Sequence, residues 1–288
     1  MTTVYVSPHL DDAAFSCAAG IVSRRAAGQR VVVITVFSEG EPAREVEDRQ
    51  ALARVGAEAI HLGLPDSPLR LGIAPTFRDL MLDQPLRPET IEAVAAGLRP
   101  HLAQLDPAEI WWPLGIGGHI DHRSVFAASR RLPGSPRYYE DRPYAFVPAF
   151  VALRHLELRG GHLHAPPTID ELSAQIDAGG CAAFFTPEER AGCVATLHQR
   201  LAQARPARGH SLRAIPHRHP GHGPAALALV QAYPSQLGWL MSGISAEALW
   251  RRWAFDADGE PFERELAIRG DIDDAPGVGG YGSPRDTA

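Results

Sequence analysis

Seven consecutive residues, Val31 to Phe37, hold no polar side chain except the β-branched Thr35. A strand that needs no polar face is buried on both sides, the condition of an inner strand in a parallel sheet covered by helices. The flanking chain fits that setting. Residues 3 to 7 read as a strand, Asp12 to Ala27 as a helix ending near Gly28, Ala43 to Val55 as a second helix and Glu58 to Leu64 as a third strand. This βαβαβ alternation predicts an α/β fold with a doubly wound, mostly parallel, Rossmann-like sheet. No Gly-x-Gly-x-x-Gly follows the first strand, which counts against a dinucleotide site.

Residues 65–87 form a Pro- and Asp-rich connection with a short amphipathic piece, Thr76 to Asp83, in the position of a substrate loop. Pro88 to Gln104 reads as a helix, Glu109 to Gly115 as a strand and Arg123 to Arg131 as a helix. Farther on the order is irregular. Phe150 to Leu158 alternates as a strand would, and Thr168 to Ala178 reads as a helix. Thr186, Pro187 and Glu189 mark a capped helix start, with the helix running to Ala204. Residues 205–224 are rich in Pro, Gly and His and read as a loop. Helices are expected over Ala225 to Tyr233 and Ile244 to Trp253, and a short edge strand over Glu263 to Ile268. The tail from Asp271 has few apolar residues and is expected to be disordered, leaving one domain over 1–270.

Two strand-to-helix turns carry the chemistry. The first, Ser7-Pro8-His9-Leu10-Asp11-Asp12, places an imidazole and two carboxylates where open α/β sheets put their ligands. These are zinc-type donors, although Asp at such a position also caps helices. The second, Gly117-Gly118-His119-Ile120-Asp121-His122, repeats the pattern after another buried strand. In a parallel sheet both turns open on one edge, so the two clusters can converge.

The pair His9-x-Asp11-Asp12 and His119-x-Asp121-His122 resembles the PIG-L/LmbE-like family of zinc-dependent N-acetylglucosaminyl deacetylases. Further landmarks are Val36-Phe37-Ser38, Arg44-x-x-Glu47-Asp48, Leu62 to Asp66 with Arg70, Tyr138 to Asp141 with Pro143-Tyr144, and Tyr233-x-Ser235-Gln236. The first motif commonly reads His-Pro-Asp-Asp-Glu, whereas Leu10 and Ala13 stand here; that variant resembles the branch acting on sugars of secondary metabolites or other glycosides. The resemblance implies His9, Asp12 and His122 as ligands of Zn2+, or of another divalent metal such as Fe2+, with Asp11 as general base. Three protein ligands leave a position open for water, as in catalytic rather than structural zinc. His119, if protonated, is the expected oxyanion stabiliser, and Asp121 would orient it or support a metal-bound histidine. Either Asp11 or His119 could protonate the leaving amine. Arg44 and Asp66 match sugar-hydroxyl positions, and Tyr139, Glu140 and Asp141 could line the sugar site, with a packed tyrosine as the alternative for Tyr139.

The implied function is hydrolysis of an N-acetyl group on an amino sugar or glycoside. Alternatives are an amidase of another acyl group or of a sugar-thiol conjugate, or a noncatalytic sugar-binding module. His210, His217, His219 and His222 form a dense group that reads as a solvated polar loop rather than a lid or second metal site, since no ligand spacing recurs there. A formal charge of -6 gives no electrostatic footprint for nucleic acid. No apolar run reaches the roughly 18–20 residues of a membrane span. Three cysteines without metal-type spacing and no leader-like pattern at Met1 fit a reduced cytoplasmic protein. Trp250 and Trp253, three apart on one helix, suit packing or an interface of a homo-oligomer.

Overall fold

The computed structural model describes residues 1–72, 85–159, 165–181, 185–203, 211–240 and 245–269. Its first half follows the sequence pattern closely: β1 (Thr2–Ser7), α1 (Asp12–Ala26), β2 (Arg30–Phe37), α2 (Pro42–Arg54), β3 (Glu58–Leu64), a short α3 (Ser67–Leu71), α4 (Pro88–Leu105), β4 (Glu109–Pro113), α5 (Ile120–Ser129) and β5 (Arg137–Tyr139). Then come α6 (Pro148–Arg159), α7 (Ile169–Ala178), α8 (Pro187–Gln203), β6 (Ser211–Arg218), α9 (Gly223–Val230), α10 (Pro234–Leu240), α11 (Ala246–Ala254) and β7 (Phe262–Arg269). The amphipathic piece expected at Thr76 to Asp83, His210 and the tail from Asp271 lie outside the described residues.

The strands form one seven-stranded sheet in the order β3-β2-β1-β4-β5-β7-β6. β1 to β5 are parallel, and β7 runs antiparallel to both β5 and β6. Alternate residues divide between two cores, as the two-residue period of a strand requires. Val4, Val6, Val32, Ile34 and Trp112 face a cluster built with helices α4 to α8, while Tyr5, Val31, Val33 and Trp111 face one built with α1, α2, α9 and α11. The Trp111-Trp112 pair is thus core, one ring on each side of β4. The chain winds outward through β2 and β3 on one side of β1, and through β4 and β5 on the other, so a switch point falls between β1 and β4.

The C-terminal half corrects three expectations. Phe150 to Leu158 is helical within α6, because Ala149, Phe150, Leu153 and Leu156 recur at spacings of three and four and bury one stripe. The stretch read as a Pro- and His-rich loop contains β6; it is the edge strand, where Pro216 is tolerated for want of a ladder bond on its open side. β7, expected at the edge, is interior, paired on both sides. The irregular C-terminal portion therefore completes the sheet. Both capping boxes form, with Thr168 Oγ1 and Thr186 Oγ1 each accepting the N–H of the glutamate three residues on, at 3.2 Å.

Candidate active site

The turn after β1 meets its backbone needs through Ser7 and Asp12, whose Oδ2 accepts the N–H of His9 at 2.8 Å. Ser7 Oγ accepts the N–H of Ala13 at 2.9 Å and donates to the carbonyl of His9 at 2.6 Å. Asp11, at the N-cap of α1, makes no side-chain cap bond. The Asp11 carboxylate is thereby left for the site, while that of Asp12 serves both the turn and the site. Replacing Ser7, which is 1 % exposed, with alanine should cost about 1–3 kcal/mol in urea unfolding, the cost of an orphaned buried donor. An unfolding midpoint unchanged by Ser7→Ala would return the capping role to the aspartates.

Across the switch point, the turns after β1 and β4 meet. His9, Asp12 and His122 each present a ligand atom within 4.8 Å of the others. The Asp12 Oδ2 atom lies 3.1 Å from His9 Nδ1 and 3.2 Å from His122 Nε2. The far nitrogen of each imidazole meets a carboxylate: His9 Nε2 is 3.1 Å from Asp121 Oδ2, and His122 Nδ1 is 2.7 Å from Asp141 Oδ1. Such outer carboxylates fix the tautomer and direction of metal-binding histidines. They are held in turn. Asp121 accepts from Ser67 N at 2.9 Å and Arg70 Nη2 at 2.5 Å, and Asp141 accepts from Gly115 N and Ile116 N at 2.8 and 2.9 Å.

A divalent cation fits this arrangement on two observations. His122 Nε2 is buried with no hydrogen-bond partner, although it points toward Asp12. In addition, Asp11, Asp12, Asp121 and Asp141 are all buried, and the guanidinium groups paired with them are Arg44 and Arg70. Buried carboxylates need neutralising charge, and a doubly charged ion makes up that deficit. The same surplus appears in the proton affinities. Burial acts to lower His9 and His122, but Asp12 with Asp121 and Asp12 with Asp141 override it, lifting the imidazoles to about 9 and about 10. Against the upward effect of burial, His122 and His9 hold Asp12 below the usual carboxylate range, and His9, His119 and Arg70 do the same for Asp121. Asp11 differs. Burial and then the neighbouring Asp12 push it up to about 6, with Arg44 opposing from 3.4 Å.

His119 departs from expectation. Burial first, then the adjacent His9 and His122, pull it down to about 3, so it is neutral rather than protonated. Its Nδ1 accepts the backbone N–H of Asp121 at 3.2 Å, which leaves the ring proton on Nε2. Asp121 thus holds His119 through its main chain, while its carboxylate serves His9.

The residues expected around a sugar scatter. Arg44 lies beside Asp11, and its helix is tied down from the C-terminal side: Tyr233 Oη donates to Asp48 Oδ1 at 2.7 Å, and Ser235 N donates to Glu47 Oε1 at 3.1 Å. Asp66 caps α3 by accepting from Leu69 N at 3.1 Å. Tyr139 is a core residue whose hydroxyl donates to Val6 O at 2.8 Å, the packed alternative. Glu140 pairs with Arg264 at 3.3 Å, and Asp141 is completely buried behind His122. Neither Asp141 nor Tyr139 is placed to touch a substrate. Arg70 and Tyr144 join the site: Arg70 through Asp121, and Tyr144 with its ring edge-on to His122 at 5.4 Å. Both stand in segments quoted from the sequence, but nothing local marked them. Two of the loop histidines meet carboxylates of β7: His217 lies 2.8 Å from Glu265 and His219 lies 3.5 Å from Glu263. Cys17, Cys181 and Cys193 are buried, and no described helix is long and apolar enough to cross a membrane.

The chain resembles known proteins in sequence and in fold. The 2'-N-acetylparomamine deacetylase of Streptomyces fradiae is 32% identical over 169 residues, covering 50% of this chain and 57% of that protein. The match thus spans little more than half of the curated relative. A deacetylase of the teicoplanin biosynthesis pathway superposes with a TM-score of 0.62 at 20% identity, covering 95% of this chain and 100% of that one. The A40926 pseudoaglycone deacetylase gives 0.59 at 20%, covering 93% and 97%. At these identities the likeness to solved structures is one of fold. The PIG-L family model, GlcNAc-PI de-N-acetylase, matches residues 4–132. Both turns that bring His9, Asp12 and His122 together fall inside that match.

Proposed function

We propose that the chain is a metal-dependent N-deacetylase that hydrolyses the acetamide of an amino sugar or glycoside, releasing acetate and a free amine. The observation that carries this reading is the carboxylate of Asp11, buried beside the His9-Asp12-His122 triad and spared from capping by Ser7. A binding site has no use for an uncommitted buried base. The names of the family and of the Streptomyces fradiae relative support the same bond type.

His9, Asp12 and His122 hold the ion; this nitrogen and oxygen donor set suits zinc, with iron(II) the other fit. When bound, such an ion polarises the amide carbonyl and makes water nucleophilic at a pH of about 7. Asp11 takes the proton from the attacking water. His119 presents Nε2–H to the oxygen that gains charge as the carbonyl is attacked, a neutral donor fixed in advance. The leaving amine then takes its proton from Asp11 in its acid form, because a neutral imidazole is too weak an acid to serve. Arg44 keeps Asp11 oriented from 3.4 Å and is the group best placed to meet a sugar hydroxyl near it.

Released acetate, measured with the metal-loaded chain across N-acetylated amino sugars and antibiotic-like glycosides, tests the reading. At least one substrate should give acetate and new amine in equal amounts. Metal bound without acetate from any of them would overturn it.

A further inference from the structure

Helix α2 carries Arg44 but has little apolar hold on the domain at that end. None of its residues from Pro42 to Glu47 is buried; its buried positions are Asp48, Ala51 and Leu52. The contacts of Arg44 itself are loose. It stands 3.4 Å from Asp11 and 4.0 Å from Glu41, and its Nε is buried without a hydrogen-bond partner. Helices are held in place mainly by the face they bury, so the position of Arg44 depends on what holds Asp48, one turn farther along the same face.

Asp48 is the centre of a buried polar cluster that the proton-transfer chemistry leaves unused. Its Oδ1 accepts from Tyr233 Oη at 2.7 Å, and its Oδ2 lies 2.7 Å from His61 Nε2 on β3. The other ring nitrogen of His61 is 3.5 Å from Glu45 Oε2, which accepts from Arg49 Nη2 at 2.8 Å. Tyr233, buried in the turn between α9 and α10, touches both helices that flank the site. Its hydroxyl meets α2, and its ring packs edge-on to Phe15 of α1 at 5.8 Å. Phe15 lies one helical turn beyond Asp11, whose carbonyl accepts its N–H at 2.8 Å. Burial first, then Asp48, lifts the Tyr233 phenol well above its ordinary range, which keeps the proton in the bond to Asp48. One side chain thus spans the gap across which Arg44 faces Asp11.

We propose that Tyr233 and Asp48 are positioning residues, a strut from the C-terminal half that sets Arg44 against Asp11 and the substrate. The part Arg44 plays in turnover rests on the deacetylase reading; the place where it stands does not. Tyr233→Phe keeps the ring on Phe15 and removes only the hydroxyl. In the zinc-loaded, isotope-labelled full chain it should shift the Nε–H NMR signal of Arg44, identified by its loss in Arg44→Gln, while metal content stays that of the parent. Asp48→Asn, of the same size but a weaker, uncharged acceptor, should shift the signal the same way, and it serves as the test if Tyr233→Phe does not fold. On the sugar that releases acetate fastest, Tyr233→Phe should lower kcat/KM about fivefold. That loss should vanish in the Arg44→Gln background, because two residues acting through one contact do not add. A tyrosine that only stabilises the fold would lower the melting temperature and cost the same factor in both backgrounds. An unmoved Arg44 signal, or losses that multiply, overturns the proposal. A chain that releases no acetate from any sugar fails the deacetylase reading alone, and the NMR comparison still decides whether Tyr233 places Arg44.

Discussion

Asp11→Asn should keep its metal and lose about 100- to 10,000-fold in kcat, the range spanned by a general base. The separation follows from the geometry. The ligand atoms belong to His9, Asp12 and His122, whereas the Asp11 carboxylate contacts Arg44 at 3.4 Å. Its backbone place at the start of α1 is kept by the Ser7 hydroxyl, so the amide replacement leaves the turn intact. Metal content by elemental analysis, set against acetate release, reads both quantities. Loss of metal along with rate would make Asp11 a ligand, and a rate within about twofold of the parent would remove it from proton transfer.

His122→Ala should lose the metal itself. Its Nε2 is a buried orphan aimed at Asp12, and the ring is locked by Asp141 at 2.7 Å. Asp141→Asn makes a finer test. The asparagine can still occupy the site, but it cannot accept from His122 and from two backbone N–H groups with the same charge, so metal affinity should fall by about 10- to 100-fold. The same substitution leaves Asp11 and His119 in place. Added metal should then recover much of the rate in Asp141→Asn and little in His122→Ala. Unchanged metal stoichiometry in His122→Ala would take this residue out of the ligand set.

The candidate ligands were legible because each cluster is local: an imidazole and carboxylates within four residues, after a run that reads as an inner strand. Once the sheet is parallel, two such turns share an edge. What was illegible depends on pairing. Asp141 reads as one more acidic residue in an aromatic stretch, and its role appears only when β5 lies against β4 and brings it under His122. Tyr139, two residues earlier, is carried into the core to meet Val6 of β1. The charge state of His119 follows from burial among two other imidazoles, which no spacing states. In the C-terminal half, helix and strand periods are hard to separate in Phe150 to Leu158, and proline masks an edge strand in Ser211 to Arg218. His217 and His219 looked like a loose cluster because their partners, Glu265 and Glu263, arrive on a strand more than forty residues later.

The antiparallel pair that closes the sheet bears on how the matched segment can exist. Residues 4–132 contain the candidate ligands His9, Asp12 and His122, yet β4 would be left as a bare edge, its hydrogen-bonding side toward β5 open to solvent or to another chain. Helix α1 would lose Trp250, whose indole N–H bonds the Phe15 carbonyl at 3.1 Å, and α2 would lose its tether at Tyr233. The chemistry is thus written in one half of the chain while its autonomy as a folding unit resides in the other. Substitution should be tolerated best where the late elements only roof the sheet, and least at Asp141 and Tyr233, where they reach down to the early ones.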